Sequence, residues 1–140
     1  MSEKRLLVFG SRTWQDAALI ARVVASIAPD VVIEGGARGA DLMARAAARR
    51  QVIRVESFPV DNAKDGPWPA AGHRRNRRMH NEGRPTEAVA FISGKRGEPY
   101  SRGSQGMAYV CGLAGTPLRV FREDGEEHES DNQGNNDNES

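Results

Sequence analysis

Three stretches of this chain combine glycine, hydroxyl and arginine in a way that suits an anion. They are Gly10-Ser11-Arg12, Gly35-Gly36-Ala37-Arg38-Gly39 with Asp41 close behind, and Ser93-Gly94 followed by Ser101-Arg102-Gly103-Ser104. A phosphate is held by backbone N–H groups that approach it with no Cβ in the way. Glycine at a strand-to-helix turn permits that approach, and the positive end of the helix dipole adds attraction. Arg12, Arg38 and Arg102 can add bidentate contacts. Each stretch alone is a weak signal. Residues 35–41 lack both the Gly-Lys-Ser/Thr ending of a Walker A loop and the Gly-x-Gly-x-x-Gly spacing, and a Gly-Gly turn serves structure as readily as a ligand. Three such stretches on one edge of a fold shift the balance towards a nucleotide site.

Further candidates lie in the long polar segment between residues 59 and 85. Arg74, Arg75, Arg77 and Arg78 surround Asn76; on a helix they point several ways, so some reach a ligand while others meet solvent. Trp68 stands between Pro67 and Pro69, where it can lie over a base as a lid. Trp14 either stacks on a ligand or packs the first helix. Carboxylates are available at Asp41, Asp61 and Asp65. Asp41 falls in the first turn of its helix, where an acid is favoured by the dipole in any case. The histidines are His73, His80 and His128; with no Cys nearby and no carboxylate at ligand spacing, no structural zinc site is expected. Mg²⁺ would enter only with a bound di- or triphosphate.

The elements that must position these residues follow from apolar periodicity. Arg5–Phe9, Asp30–Glu34, Val52–Phe58, Glu87–Ile92 and Pro117–Phe121 read as strands, the third nearer an edge because it is less purely apolar. Thr13–Ile27 carries Leu19, Ile20, Val23, Val24 and Ile27 on one helical stripe. Ala40–Arg50, a basic segment over about 70–81, and Gln105–Gly115 read as the other helices. Strand–helix alternation implies an α/β fold with a doubly wound parallel sheet of about five strands. Right-handed crossovers favour the order 3-2-1-4-5, with a switch point between the first and fourth strands. Ligands of such sheets bind beyond the carboxyl ends of the strands at that point, and all three glycine-bearing stretches fall there.

The 140 residues suit one domain, placed at 1–122, followed by an acidic segment at 123–140. That segment holds eight acids and no Lys or Arg, so residues 1–122 carry 20 basic against 11 acidic side chains, a net of +9. A body this basic suits a nucleotide or a nucleic acid. The acidic segment contains no aliphatic or aromatic residue and is expected to be disordered. The single cysteine, Cys111, lies among Val110, Leu113 and Ala114 and reads as buried packing. A lone cysteine fits a reducing cytoplasm. No apolar run approaches a membrane span, and the apolar part of Met1–Gly10 is too short for a signal peptide.

The ordered set Gly10-Ser11-Arg12-Thr13-Trp14, Gly35–Asp41, Gly72–Met79 and Ser101–Met107 resembles the SLOG superfamily, over roughly Leu6 to Phe121. This group joins the Lonely Guy phosphoribohydrolases to the Rossmann-like domain of DNA-processing protein A. The resemblance is nearest to its YspA-like branch of bacteria and phages. It implies a Rossmann-like fold, binding or sensing of a nucleotide or nucleotide derivative, phosphate at the glycine-rich turns, and homo-oligomerisation. The Lonely Guy enzymes carry Pro-Gly-Gly-x-Gly-Thr-x-Glu-Glu before the last helix. Here Gly103 and Ser104 match its Gly-Thr pair, but Gly106 and Met107 stand where both glutamates should be. Their second signature, Met-His-x-Arg-Lys-x-x-Met, is matched by His73, Arg75 and Met79, with Asn76 in place of Lys. Arg75 is therefore the foremost ligand candidate, with Asn76 beside it. Glycosidic cleavage is helped by a carboxylate, so the loss of both glutamates leaves an enzyme reading open. Pure nucleotide binding or sensing is favoured over a phosphoribohydrolase-like hydrolase. Single-stranded DNA binding comes third, because the arginines are not interleaved with stacking aromatics.

Overall fold

The computed structural model of the chain describes residues 2–125 and Glu127. Five strands form one parallel sheet: β1 (Arg5–Gly10), β2 (Val31–Glu34), β3 (Arg54–Ser57), β4 (Glu87–Phe91) and β5 (Leu118–Phe121). Their order is β3-β2-β1-β4-β5, the expected doubly wound, Rossmann-like arrangement. The helices are α1 (Ala17–Ile27), α2 (Ala40–Arg50), the single turn α3 (Asn62–Asp65), α4 (Ala71–Gly83) and α5 (Arg102–Ala114).

Strand β1 shows how the sheet divides its layers. Successive side chains point to opposite faces, so Leu6 and Val8 join one core with α1 and α2, while Leu7 and Phe9 join a second core with α4 and α5. The whole apolar stripe of α1 is buried. Strand β3 is the half-exposed edge.

Helix boundaries differ from the periodic reading at two places that matter. Helix α1 starts at Ala17, because Asp16 caps it by accepting from Leu19 N (3.0 Å). Trp14, ahead of the cap, is buried against Phe91 with ring centroids 5.5 Å apart. Its packing role is thereby decided. Helix α5 begins a turn earlier than its apolar pattern, at Arg102 behind the cap Ser101, and ends on Gly115 in the left-handed region (φ 72°). Cys111 is fully buried on α5, and burial pushes its thiol up to about 12.

Within the acidic segment, Glu127 bridges Phe121 and pairs with Arg119 (3.1 Å). The remainder of the expected disordered segment, residues 126 and 128–140, lies outside the described residues. Among the described residues no helix is long and apolar enough to cross a membrane, and no group of three or more His, Cys, Asp or Glu side chains is placed to hold a metal ion.

Candidate functional site

The loops that leave β1, β2 and β4 enclose a cleft at the carboxyl edge of the sheet. It consists of two adjoining cavities of about 510 and 670 Å³, whose shared wall is Arg12, Ala37, Arg75, Asn76 and Gly103. The first lies at the switch point and holds Gly10, Ser11, Asp41, Ser93, Ser101 and Ser104. The second holds Gly35, Gly36, Trp68 and Arg102. Three predicted site residues line neither cavity. Arg38 is exposed, and Gly94 faces Glu98. Gly39 (φ 78°) packs on the β1 loop, where any Cβ would collide with Ser11 O. Its neighbour Ala40 N donates to that same oxygen (3.2 Å).

In the Gly35–Gly39 turn the N–H groups of Gly35, Gly36 and Ala37 are already occupied. Gly35 N and Ala37 N both donate to Asp41 Oδ2 (3.2 and 3.3 Å), and Gly36 N donates to Glu34 Oε1 (2.6 Å). Glu34 is fully buried, and its other oxygen accepts from Arg45 Nε (3.0 Å). The turn thus binds two carboxylates of its own chain where a phosphate was expected. Burial pushes the Asp41 carboxyl up from 3.8 to about 6; the Ala37 N–H opposes the rise and the Glu34 charge adds to it. Asp41 Oδ1 makes no hydrogen bond to the described residues, and the side chain lines the first cavity.

The N-terminus of α5 is the opposite case. Ser101 caps it, accepting from Ser104 N (3.4 Å), and Gln105 N donates to Ser101 O (2.8 Å). The N–H groups of Arg102 and Gly103 have no acceptor among the described residues, and a Cβ at Gly103 would meet nothing within 4 Å. Unpaired donors on a thirteen-residue helix, open to a cleft, suit an anion.

The β4–α5 loop is held in place from below. Arg122, 1% exposed, donates to Ser93 O (3.0 Å) and Glu98 O (2.7 Å), with its guanidinium 5.3 Å from the Tyr100 ring centroid. Ser93 N donates to Ser11 Oγ and Thr13 Oγ1 donates to Ser93 Oγ, each at 2.8 Å. These bonds tie together the two loops that diverge at the switch point.

Helix α4 sorts its arginines by position. Arg75 Nη1 donates to Gly35 O (2.6 Å) and Phe58 O (3.2 Å), and Nε donates to Asn76 Oδ1 (3.1 Å). It clamps the β2 loop to the end of β3 and leaves Nη2 without a partner among the described residues. Asn76, buried, carries the clamp to α5 through Gly103 O (3.3 Å). Arg78 pairs with Asp65 through two bonds of 2.8 and 2.9 Å, and this holds the Asp65 carboxyl down at about 2. Among the described residues Arg74 donates only to Asp65 O (3.4 Å), and Arg77 is exposed. Trp68 is 62% exposed at the rim of the second cavity.

The two positions that lack glutamate are explained by packing. Met107 is buried in the floor of the first cavity with Phe9 and Met79. A Cβ at Gly106 would stand 3.1 Å from His73 Nδ1 and 3.6 Å from Asn76 Nδ2, so α4 sits where a longer side chain would project. The floor residues, Glu34 and Arg122 escape sequence reading. The floor residues look like ordinary core, and no local pattern says that a strand-end Glu or Arg is buried.

Residues 4–64 match the model of the family described as YAcAr: YspA, cpYpsA-related SLOG family. The matched stretch runs from β1 through α3, so it contains the β1 and β2 loops, whereas α4 and α5 lie beyond it. It agrees with the resemblance drawn from the ordered motifs and supports a nucleotide-related role in broad terms. No curated protein matches the chain.

Proposed function

From a chain whose residues 4–64 carry the YspA-like SLOG match, we propose a protein that binds a nucleotide or nucleotide derivative with its phosphate at the N-terminus of α5. The unpaired Arg102 and Gly103 N–H groups carry this reading. They lie at the switch point, where open α/β sheets take their ligands. Ser93, Ser101 and Ser104 add hydroxyls around the same cavity, and Arg12 and Arg75 supply charge at its junction with the second. The second cavity, with Trp68, Pro59, Val60 and Pro69 along it, offers an apolar wall to a base. The Gly35–Ala37 stretch then shapes the cleft without holding the phosphate, since Asp41 and Glu34 occupy its donors.

Calorimetric titration with AMP and ADP tests this reading. Saturable heat that disappears when Gly103 is replaced by Asp supports it. Absence of heat with both nucleotides at millimolar concentration removes it.

A hydrolase is the second reading, favoured by one observation. Asp41 is a buried carboxyl on the cleft wall raised to about 6, a value suited to proton transfer near neutrality. Release of adenine from AMP over hours at high protein concentration would establish it, and recovery of intact AMP would dismiss it.

A further inference from the structure

Asp41 presents an unfinished hydrogen-bonding site. Its side chain is 5% exposed and lines the first cavity. One oxygen, Oδ2, takes both loop N–H groups, while Oδ1 has no partner among the described residues. A buried carboxylate oxygen without a donor is costly, so a group that displaces solvent from the cavity has to supply one. The surroundings restrict its chemistry. Glu34, fully buried behind the same turn, adds a second negative charge. Arg75 directs Nη1 to the carbonyls of Gly35 and Phe58, and Arg12 also lines the cavity. The N–H groups of Gly35, Gly36 and Ala37 beside it are occupied. A phosphate beside Asp41 would meet two carboxylates and find the Gly35, Gly36 and Ala37 N–H groups already taken. A neutral donor, an alcohol, fits.

The proposal rests on the nucleotide reading and extends it. With the phosphate at Gly103, on the α5 side of this cavity, the sugar is the part of a nucleotide that reaches the α2 side. We propose that Asp41 Oδ1 accepts a hydrogen bond from a sugar hydroxyl of the bound nucleotide, so that the cleft selects ribose over deoxyribose. Asp41 is thereby a specificity residue as well as the anchor of its turn.

The test compares AMP, 2′-deoxyAMP and 3′-deoxyAMP by calorimetry at neutral pH, on the full chain and on Asp41→Ala. For the full chain at least one deoxy compound binds about tenfold or more weakly, the loss expected when a hydrogen bond to a charged acceptor goes. In Asp41→Ala all three bind alike. Equal binding of the three by the full chain overturns the proposal while leaving the nucleotide reading intact, as does a deoxy penalty that persists in Asp41→Ala. Absence of AMP binding overturns the nucleotide reading itself and this proposal with it. Because Asp41→Ala also frees the Gly35 and Ala37 N–H groups and can impair folding, a second measurement uses the intact chain. Carboxyl-carbon NMR follows the Asp41 titration with and without AMP. A hydroxyl on Oδ1 stabilises the carboxylate and moves the titration to lower pH. A shift upward, or none, overturns the proposal.

Discussion

Replacing Gly103 by Asp places a carboxylate at the second position of α5, beside the two N–H groups assigned to the phosphate. The site can accept the side chain, because nothing lies within 4 Å of a Cβ there. The effects on folding and on binding have opposite signs. For folding, an acid in the first turn is favoured by the helix dipole, by about 0.3–1 kcal/mol, and Asp is a slightly better helix residue than Gly, by roughly 0.3 kcal/mol. Together these raise Tm by a few degrees, at about 4 °C per kcal/mol for a domain of this size. For binding, a carboxylate and a singly charged phosphate about 5 Å apart repel by roughly 3 kcal/mol at an effective dielectric of about 20. That corresponds to about 150-fold in Kd, and salt reduces it. The assay pairs a thermal melt with AMP titration at low and high salt. Weaker binding together with an unchanged or higher Tm is expected. If Gly103→Asp binds AMP as tightly as the unaltered chain, the phosphate does not sit at this helix terminus and the reading is refuted. If binding and Tm fall together, the loss is one of folding and the electrostatic reasoning fails.

Further outcomes follow from other parts of the structure. Because the folded Asp41 carboxyl, at about 6, lies above its ordinary 3.8, its share of stability is present below pH 3.8 and lost as pH rises through 6. Asp41→Asn therefore removes a loss of about 3 kcal/mol between pH 4 and 7, seen as a flatter curve of urea midpoint against pH. Asp65 has the opposite sign: held at about 2 by Arg78, it supports the fold above its ordinary 3.8, and this support is lost as pH falls through 2. Asp65→Asn lowers the midpoint at pH 7 and leaves a shallower acid transition, and an unaltered midpoint at pH 7 would count against the ion pair. Trp68→Ala leaves Tm unchanged, because the ring is exposed, but weakens AMP by about 1–3 kcal/mol if a base stacks there; equal affinity would move the base elsewhere. Arg122→Leu leaves Ser93 O and Glu98 O without their donor and costs roughly 2–4 kcal/mol, read from chemical denaturation. A smaller loss would mean that the loop holds itself.

Much of the frame was legible from residue order. Runs such as Leu6–Phe9 and Val31–Ile33 are apolar without alternation, which marks strands covered on both faces, and the intervening helices then leave few topologies. The switch point followed, and with it most of the residues that line the cleft. The boundaries of α1 and α5 were less legible, because Asp16 and Ser101 start their helices through side-chain caps that periodicity does not register.

The sequence by itself determined the parallel sheet, its order and the edge at which the cleft opens, because these depend on apolar pattern, chain connectivity and handedness, all written along the chain. It also determined which residue types are available there. Only the tertiary structure decided how those residues are used. Hydrogen-bond donors are shared out by proximity, and proximity here joins positions far apart in the chain. Glu34 and Asp41 fill the Gly35, Gly36 and Ala37 donors of the glycine turn that looked like the phosphate site. Arg75, the foremost ligand candidate, directs Nη1 to backbone carbonyls forty and seventeen residues away. Trp14 turned inward onto Phe91, while Trp68 remained at the rim. The N–H groups of Arg102 and Gly103 stay open on the α5 side of the cleft, and that followed from which acceptors the fold left out of their reach.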